Sequence, residues 1–394
     1  HNQARLKAQL AGSIKIRVGY NLRNFPGYDP TQTIPPEPAS YGRLDAVDAI
    51  VNEVFHLAIK DPDPANPTQE AQPADAPVSY PFLWDTPQHD RVEWLGIAQS
   101  GGPLDVFSLG RNVGEVIGVF GDVAIPDHPS LLNLGYASSV KITELGQLED
   151  LVKTLWSPQW PADFPPIDLD AARQGGQLYQ QKCVACHALI DRSDPRRTVK
   201  AIIGPAGTDP QASINFFTRT GSSGKLNGAN VNLVPFTSEI PPVASANVML
   251  TNVVVGTILG RFKDAPPDEL NQIDFRGPRV AAHALIAGAP GAAYKARPLN
   301  GIWATAPYLH NGSVPNLDAL LQPTAKRPQS FSIGVRTFDP VRVGYLTDVP
   351  GFPKFSVRGA DGAPIVGNSN AGHEYGAELS NDERRQLVEY LKTL

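Results

Sequence analysis

Five consecutive residues, Cys183-Val184-Ala185-Cys186-His187, bring two thiols and an imidazole onto one helical turn. That grouping meets a narrow chemical demand: two thiols that reach the two vinyl groups on one edge of a porphyrin, followed by an imidazole nitrogen under its iron. The motif reads as a covalent attachment site for haem c. Two other chemistries also use paired cysteines. Thiol-disulfide exchange needs the pair poised at a helix start in a βαβ unit, which the preceding GGQLYQQK does not offer. A zinc site normally draws on more cysteines or on paired histidines, and the chain contains two cysteines in all.

Whether iron held there carries electrons or meets oxygen or peroxide depends on what fills its sixth position. Met249 is the only methionine, but it sits in an apolar run where a core role fits better than ligation. The histidine candidates are His1, His56, His89, His128, His283, His310 and His373. A lone histidine is more often a surface or satisfied core residue than a ligand. His310 and His373 stand apart because of their sequence neighbours.

The elements that must position these groups are helices. Asp168 or Asp170 caps a helix running through AARQGGQLYQQK into the motif. SNDERRQLVEYLKTL closes the chain as an amphipathic helix, with Ser380 and Glu383 forming a capping box and Leu387, Tyr390, Leu391 and Leu394 an apolar stripe. With Gly175, Leu178 and Tyr179, these two helices resemble the first and last helices of a cytochrome c domain, which cross where a small residue lets an aromatic pack. Helical spacing also marks 43–59, 109–120 and 143–155, the last with Leu145, Leu148, Leu151, Val152 and Leu155 on one side. Prolines at 158, 161, 165 and 166 then set a boundary. Short helices are expected near 243–259 and 316–321, among many turn residues. The expected fold is mainly α with little β: a loop-rich region with a few helices over 1–165, then a cytochrome c-type domain with long irregular segments over 166–394.

Composition narrows the partners. The net charge of -5 over 394 residues lacks the cationic footprint that nucleic acid or an anionic membrane asks for. With 35 glycines and 38 prolines the chain is loop-rich but folded. Its most apolar stretch, 247–260, is too short and interrupted to span a bilayer. There is no initiator methionine and no apolar run of signal-peptide length at the start, so a processed or truncated chain is expected.

RPLNGIWATAPYLHNGSVPNLDALL at 297–321, RPQSF at 327–331, FDPVRVGY at 338–345 and GNSNAGHEYG with the closing helix resemble the carboxy-terminal domain of the rubber oxygenase family. That family is a distant relative of bacterial di-haem cytochrome c peroxidases and of MauG. Ala306-Pro307-Tyr308-Leu309-His310-Asn311-Gly312, with Trp303 just ahead, is similar to a segment of the peroxidases. YGRLDAVDAIVNEVF at 41–55 and 91–121 are similar to the family's inter-haem region. The resemblance implies His187 as proximal and His373 as distal ligand of one haem. It also implies Trp94 as an electron relay between two haems, and Trp303, Tyr308 and His310 as pocket residues. Plain core roles remain open for Trp94, Trp303 and Tyr308.

Family members carry two haem motifs, whereas this chain has one, and the position of the other falls near or before residue 1. His1 fits the end of a lost motif. Either an upstream segment is missing from this chain or the protein works with one haem. The expected function is a haem c oxidoreductase of the rubber oxygenase and di-haem peroxidase group. This haem stores or passes electrons to a second one that reacts with dioxygen or peroxide. The alternative is an electron-transfer cytochrome or subunit without catalytic activity. An electron donor or acceptor protein or a substrate is the expected partner, in the periplasm or outside the cell.

Overall fold

The computed structural model describes residues 2–25, 28, 31, 41–59, 69–100, 106–119, 121–130, 135–194, 197–230, 239–264 and 293–394. His1 and His283 lie outside the described residues. Nine α-helices are found among them: α1 (Asn2–Asn24), α2 (Ala46–Ala58), α3 (Val106–Val119), α4 (Ile142–Lys153), α5 (Leu169–Lys182), α6 (Gln211–Thr218), α7 (Ala246–Asp264), α8 (Leu317–Leu320) and α9 (Asn381–Thr393). Side chains start several of them. Asp45 accepts from the Asp48 amide, Asp168 from the Ala171 amide, and Ser380 and Glu383 form a reciprocal capping box.

The backbone between helices is tied by antiparallel ladders of two to four residues, such as Ala293–Ala296 on Ile202–Pro205 and Val243–Ser245 on Thr220–Ser222. The structure is about 40% helical and 14% strand, with irregular segments. A mainly α fold with little β overstates the helix. The glycine- and proline-rich connections satisfy their backbone groups in these short ladders and in turns rather than in longer helices.

The apolar clusters show how the chain packs. The larger joins α2, α3, α6 and α7 through residues such as Val51, Phe55, Val113, Phe216, Met249 and Val253, and so draws on both sides of the proline-rich stretch. The second gathers Tyr179, Trp303, Tyr308, Leu317, Leu387 and Leu391 around α5 and α9. A small third one holds Phe331, Ile333, Phe355 and Val357. Helix α7 is apolar on most sides because other elements cover it, whereas α4 packs Leu145 against the larger core and turns its other two leucines outward: Leu148 is 54% and Leu151 67% exposed. The inward side of α4, with Ile142, Thr143 and Gly146, also carries Glu149, which accepts from Asn112 at 2.8 Å and pairs with Arg111. A helical stripe alone does not reveal that a neighbour supplies an inward carboxylate with donors.

Candidate functional site

The motif sits where α5 ends. Cys183 is the C-cap residue, its amide donating to the Tyr179 carbonyl. The amides of Cys186 and His187 both donate to the Cys183 carbonyl, at 3.1 and 2.8 Å, so the three chemical groups share one tight turn. The Tyr179 hydroxyl donates to the His187 carbonyl at 2.6 Å and locks that turn to the helix. The two thiols are free. Burial pushes the Cys183 thiol up to about 11, whereas disulfide-exchange cysteines need a depressed pKa. Among the described residues, the only cluster of three metal-donor side chains is Asp45, Asp48 and Asp75, so the cysteine motif does not gather a zinc ligand set.

Ring geometry is the main feature. His187 donates from Nδ1 to the Arg297 carbonyl at 2.6 Å. A carbonyl only accepts, so the proton is on Nδ1 and the Nε2 lone pair is free to ligate. Facing it, the His373 ring centre lies 6.0 Å from that of His187, at 60° between planes. Two metal-imidazole bonds of about 2.0 Å, plus about 1.1 Å from nitrogen to ring centre at each end, give a separation of about 6.2 Å. Burial holds both imidazoles neutral: His187 is lowered, and His373 falls to about 4 through burial, then the neighbouring His187 and Arg327.

His373 reaches this position by an unusual backbone path. It has a φ of +52°, follows Gly372 at +76°, and donates its amide to the Ala206 carbonyl at 2.7 Å. A Cβ on Gly372 would lie 2.2 Å from the Gly207 carbonyl carbon, so only glycine allows the approach. Arg327 holds the loop, donating to the carbonyls of Asn370 at 2.6 Å, Gly372 at 2.8 Å and His373 at 3.3 Å.

A cavity of about 240 Å³ lies beside this pair, lined by Cys183, Cys186, His187 and His373, by apolar side chains such as Leu299 and Leu387, and by Trp94, Tyr294, Tyr308 and His310. His310 stacks on Tyr294 at 3.7 Å between ring centres and meets Trp94 at 6.5 Å. Its carbonyl accepts the Ser79 amide, and the Ser79 carbonyl accepts the Trp94 indole N–H at 2.8 Å. Tyr308 is buried, and its hydroxyl donates to the Ile302 and Val343 carbonyls, each at 3.2 Å. Trp303 is not among the cavity-lining residues. It packs with Trp160, Phe164 and Phe338 and donates to the Pro158 carbonyl. Met249 lies fully buried in the larger core.

These residues fit a haem c. The thiols share one turn with an imidazole whose tautomer is set for ligation, and a second imidazole stands at the spacing that one iron requires. Sequence reasoning passed over Arg327, Tyr294, Lys295 and Arg297. For the last two, the alternation Tyr294-Lys295-Ala296-Arg297 was the available signal, since residues two apart share a strand face.

Residues 293–332 match the family model described as RoxA-like, cytochrome c-like. That match gives the chain a haem-binding module of electron-transfer or oxidoreductase type, with haem c as its group. Cytochrome c domains are typically exported, and no helix among the described residues is long and apolar enough to cross a membrane. The chain is also similar to two uncharacterized proteins of Sinorhizobium fredii (strain NBRC 101917 / NGR234). It is 32% identical to y4iJ over 90% of this chain and 60% of the relative, and 24% identical to y4iM over 82% and 66%. The matched chain thus spans about two thirds or less of these relatives' lengths.

Proposed function

We propose that this chain is the electron-storing part of a haem c oxidoreductase of the rubber oxygenase and di-haem peroxidase group, acting in the periplasm or outside the cell. Cys183 and Cys186 attach the haem, each thiol adding S–H across a vinyl group so that nothing is oxidised or reduced. His187 and His373 would hold its iron. The observation that carries the reading is the pair of facing imidazoles 6.0 Å apart, one of them on the turn that carries the two thiols. When bound, the haem supplies one-electron exchange between ferric and ferrous iron.

The side chains around it keep that exchange simple. The Arg297 carbonyl fixes the His187 tautomer, and Arg327 fixes the loop that presents His373. An iron held by both His187 and His373 would exchange electrons rather than bind dioxygen or peroxide. Reaction with either then belongs to a second haem, in keeping with relatives longer than the span matched here. The same pair of histidines also favours the second reading, an electron-transfer cytochrome or subunit that meets a donor or acceptor protein and catalyses nothing itself.

Intact mass with a pyridine haemochrome assay tests the first step, with one covalent haem per chain expected. Cys183→Ser or Cys186→Ser should leave a single thioether, and a fully loaded double variant overturns the attachment. His373→Ala should convert a six-coordinate low-spin spectrum to a high-spin one; an unchanged spectrum overturns the ligand pair. Turnover of dioxygen or peroxide by a longer chain carrying both haems, absent from this chain alone, separates the oxidoreductase from the simple carrier.

A further inference from the structure

Of the three cations that line the cavity, Lys182 pairs with Glu378, whereas Lys295 and Arg297 have no anion bonded to them among the described residues. Lys295 is 5% and Arg297 6% exposed, and both face the space that holds Cys183, Cys186 and His187. They stand two residues apart at the end of the strand Ala293–Ala296, the spacing that puts side chains on one face. The Lys295 ammonium donates to the Arg91 carbonyl at 3.0 Å and meets His89 Nδ1 at 3.3 Å. The Arg297 guanidinium lies 3.6 Å over the Phe82 ring and donates once, to the Phe82 carbonyl at 3.0 Å, while its Nε–H has no acceptor.

Among the described residues, no carboxylate lies within 4.0 Å of either cation. The acids that face them are occupied or more distant. Asp85 is held by Arg197 and Asn300, Asp90 accepts from the Ala201 amide, and Glu93 is only half-buried. Burial lowers both cations, most strongly Lys295, against the pull of Glu93 on both, of Asp90 on Lys295 and of Asp85 on Arg297, and neither has a bonded counter-ion among the described residues. Buried charge is costly unless paired and hydrogen-bonded, and two like charges side by side compound the cost. The wall is built to receive negative charge.

Resting on the haem c reading, we infer that Lys295 and Arg297 receive the two propionate carboxylates of the haem held by Cys183 and Cys186. A porphyrin fixed by thiols and an imidazole still presents two carboxylates to be neutralised, and an open guanidinium N–H with a neighbouring ammonium matches that need. Arg297 then acts twice on one cofactor. Its backbone carbonyl sets the His187 tautomer, and its side chain compensates charge at the porphyrin edge, so substitutions of the side chain leave the first contact in place.

The test uses the haem-loaded chain and reads the cofactor rather than turnover. Arg297→Gln and Lys295→Gln should keep one covalent haem by intact mass, move the propionate bending bands in resonance Raman spectra, and lower the midpoint potential. Removing a positive charge beside the haem favours the ferric state. Arg297→Lys, which keeps the charge and survives where the glutamine variant folds poorly, should restore most of the midpoint but not the wild-type band. Loaded variants whose bands and midpoint match wild type overturn the inference. So does a wild-type midpoint that moves with added acetate while the propionate bands stay fixed, since the cations then serve a diffusible anion. Absence of covalent haem from the wild type would instead sink the haem reading itself.

Discussion

His310 illustrates how one buried side chain makes stability depend on pH. It is enclosed between Tyr294 and Trp94, and its pKa falls to about 3 through burial and then the nearby Arg43 charge. An unfolded histidine takes up a proton as pH falls through about 6.5, whereas the folded one stays neutral until about pH 3. The unfolded chain therefore binds the extra proton, and stability is lost progressively as pH drops across that window. Full protonation of this group alone corresponds to several kcal/mol at about 1.4 kcal/mol per pH unit. Thermal melts from pH 7 to pH 4 should fall more steeply for wild type than for His310→Gln. Parallel slopes would mean that His310 is not the group involved. At this scale the motif cysteines, His187 and the neighbours of His310 and His373 were legible in the sequence. Lys295 and Arg297 were not, because burial of a cation depends on a strand pairing with residues some ninety positions away.

Among the described elements, α5 and α9 make the most extensive helix contact. A Cβ on Gly175 would come within 2.0 Å of the Gln386 carbonyl oxygen and 2.9 Å of the Leu387 Cα, so the helices touch backbone to backbone. Gly176 is more forgiving, its Cβ position lying 3.2 Å from the Tyr390 ring. Alanine at a helical glycine would ordinarily gain about 1 kcal/mol. At Gly175 the clash outweighs that gain and should cost roughly 1–3 kcal/mol, as overpacking does. Gly175→Ala should therefore melt lower and load less haem than Gly176→Ala, and a Gly175→Ala protein at least as stable as wild type refutes the close crossing. This crossing was readable from Gly175, Tyr179 and the apolar stripe of the last helix, as were the approximate positions of α2, α3, α4 and α7. Helices α1 and α6 were not, since α1 exposes Leu6, Leu10 and Ile14 and α6 is only eight residues long. The two- to four-residue ladders escaped because period-two alternation needs a longer run to show.

Across the whole molecule, the cavity lies where the larger core meets the second one, and Trp94 stands at that junction. Its ring packs against the larger core and also lines the cavity with His187 and His373. Its indole N–H is tied through the Ser79 backbone to His310, and its carbonyl accepts the Lys295 amide at 2.8 Å. A side chain that only filled the core would need neither an edge on the cavity nor this link to a second ring. If electrons leave the haem towards another centre, Trp94 is, with Tyr294 and Tyr308, among the aromatics that line the cavity they would leave. Trp94→Phe keeps an aromatic ring and gives up the Nε1 hydrogen bond, so its stability cost should stay near 1 kcal/mol. Electron equilibration or turnover should slow by a much larger factor than that loss explains, while the haem spectrum stays unchanged. Stopped-flow reduction beside thermal melts decides the matter: a lower melting temperature with unchanged electron transfer would reduce Trp94 to a core residue.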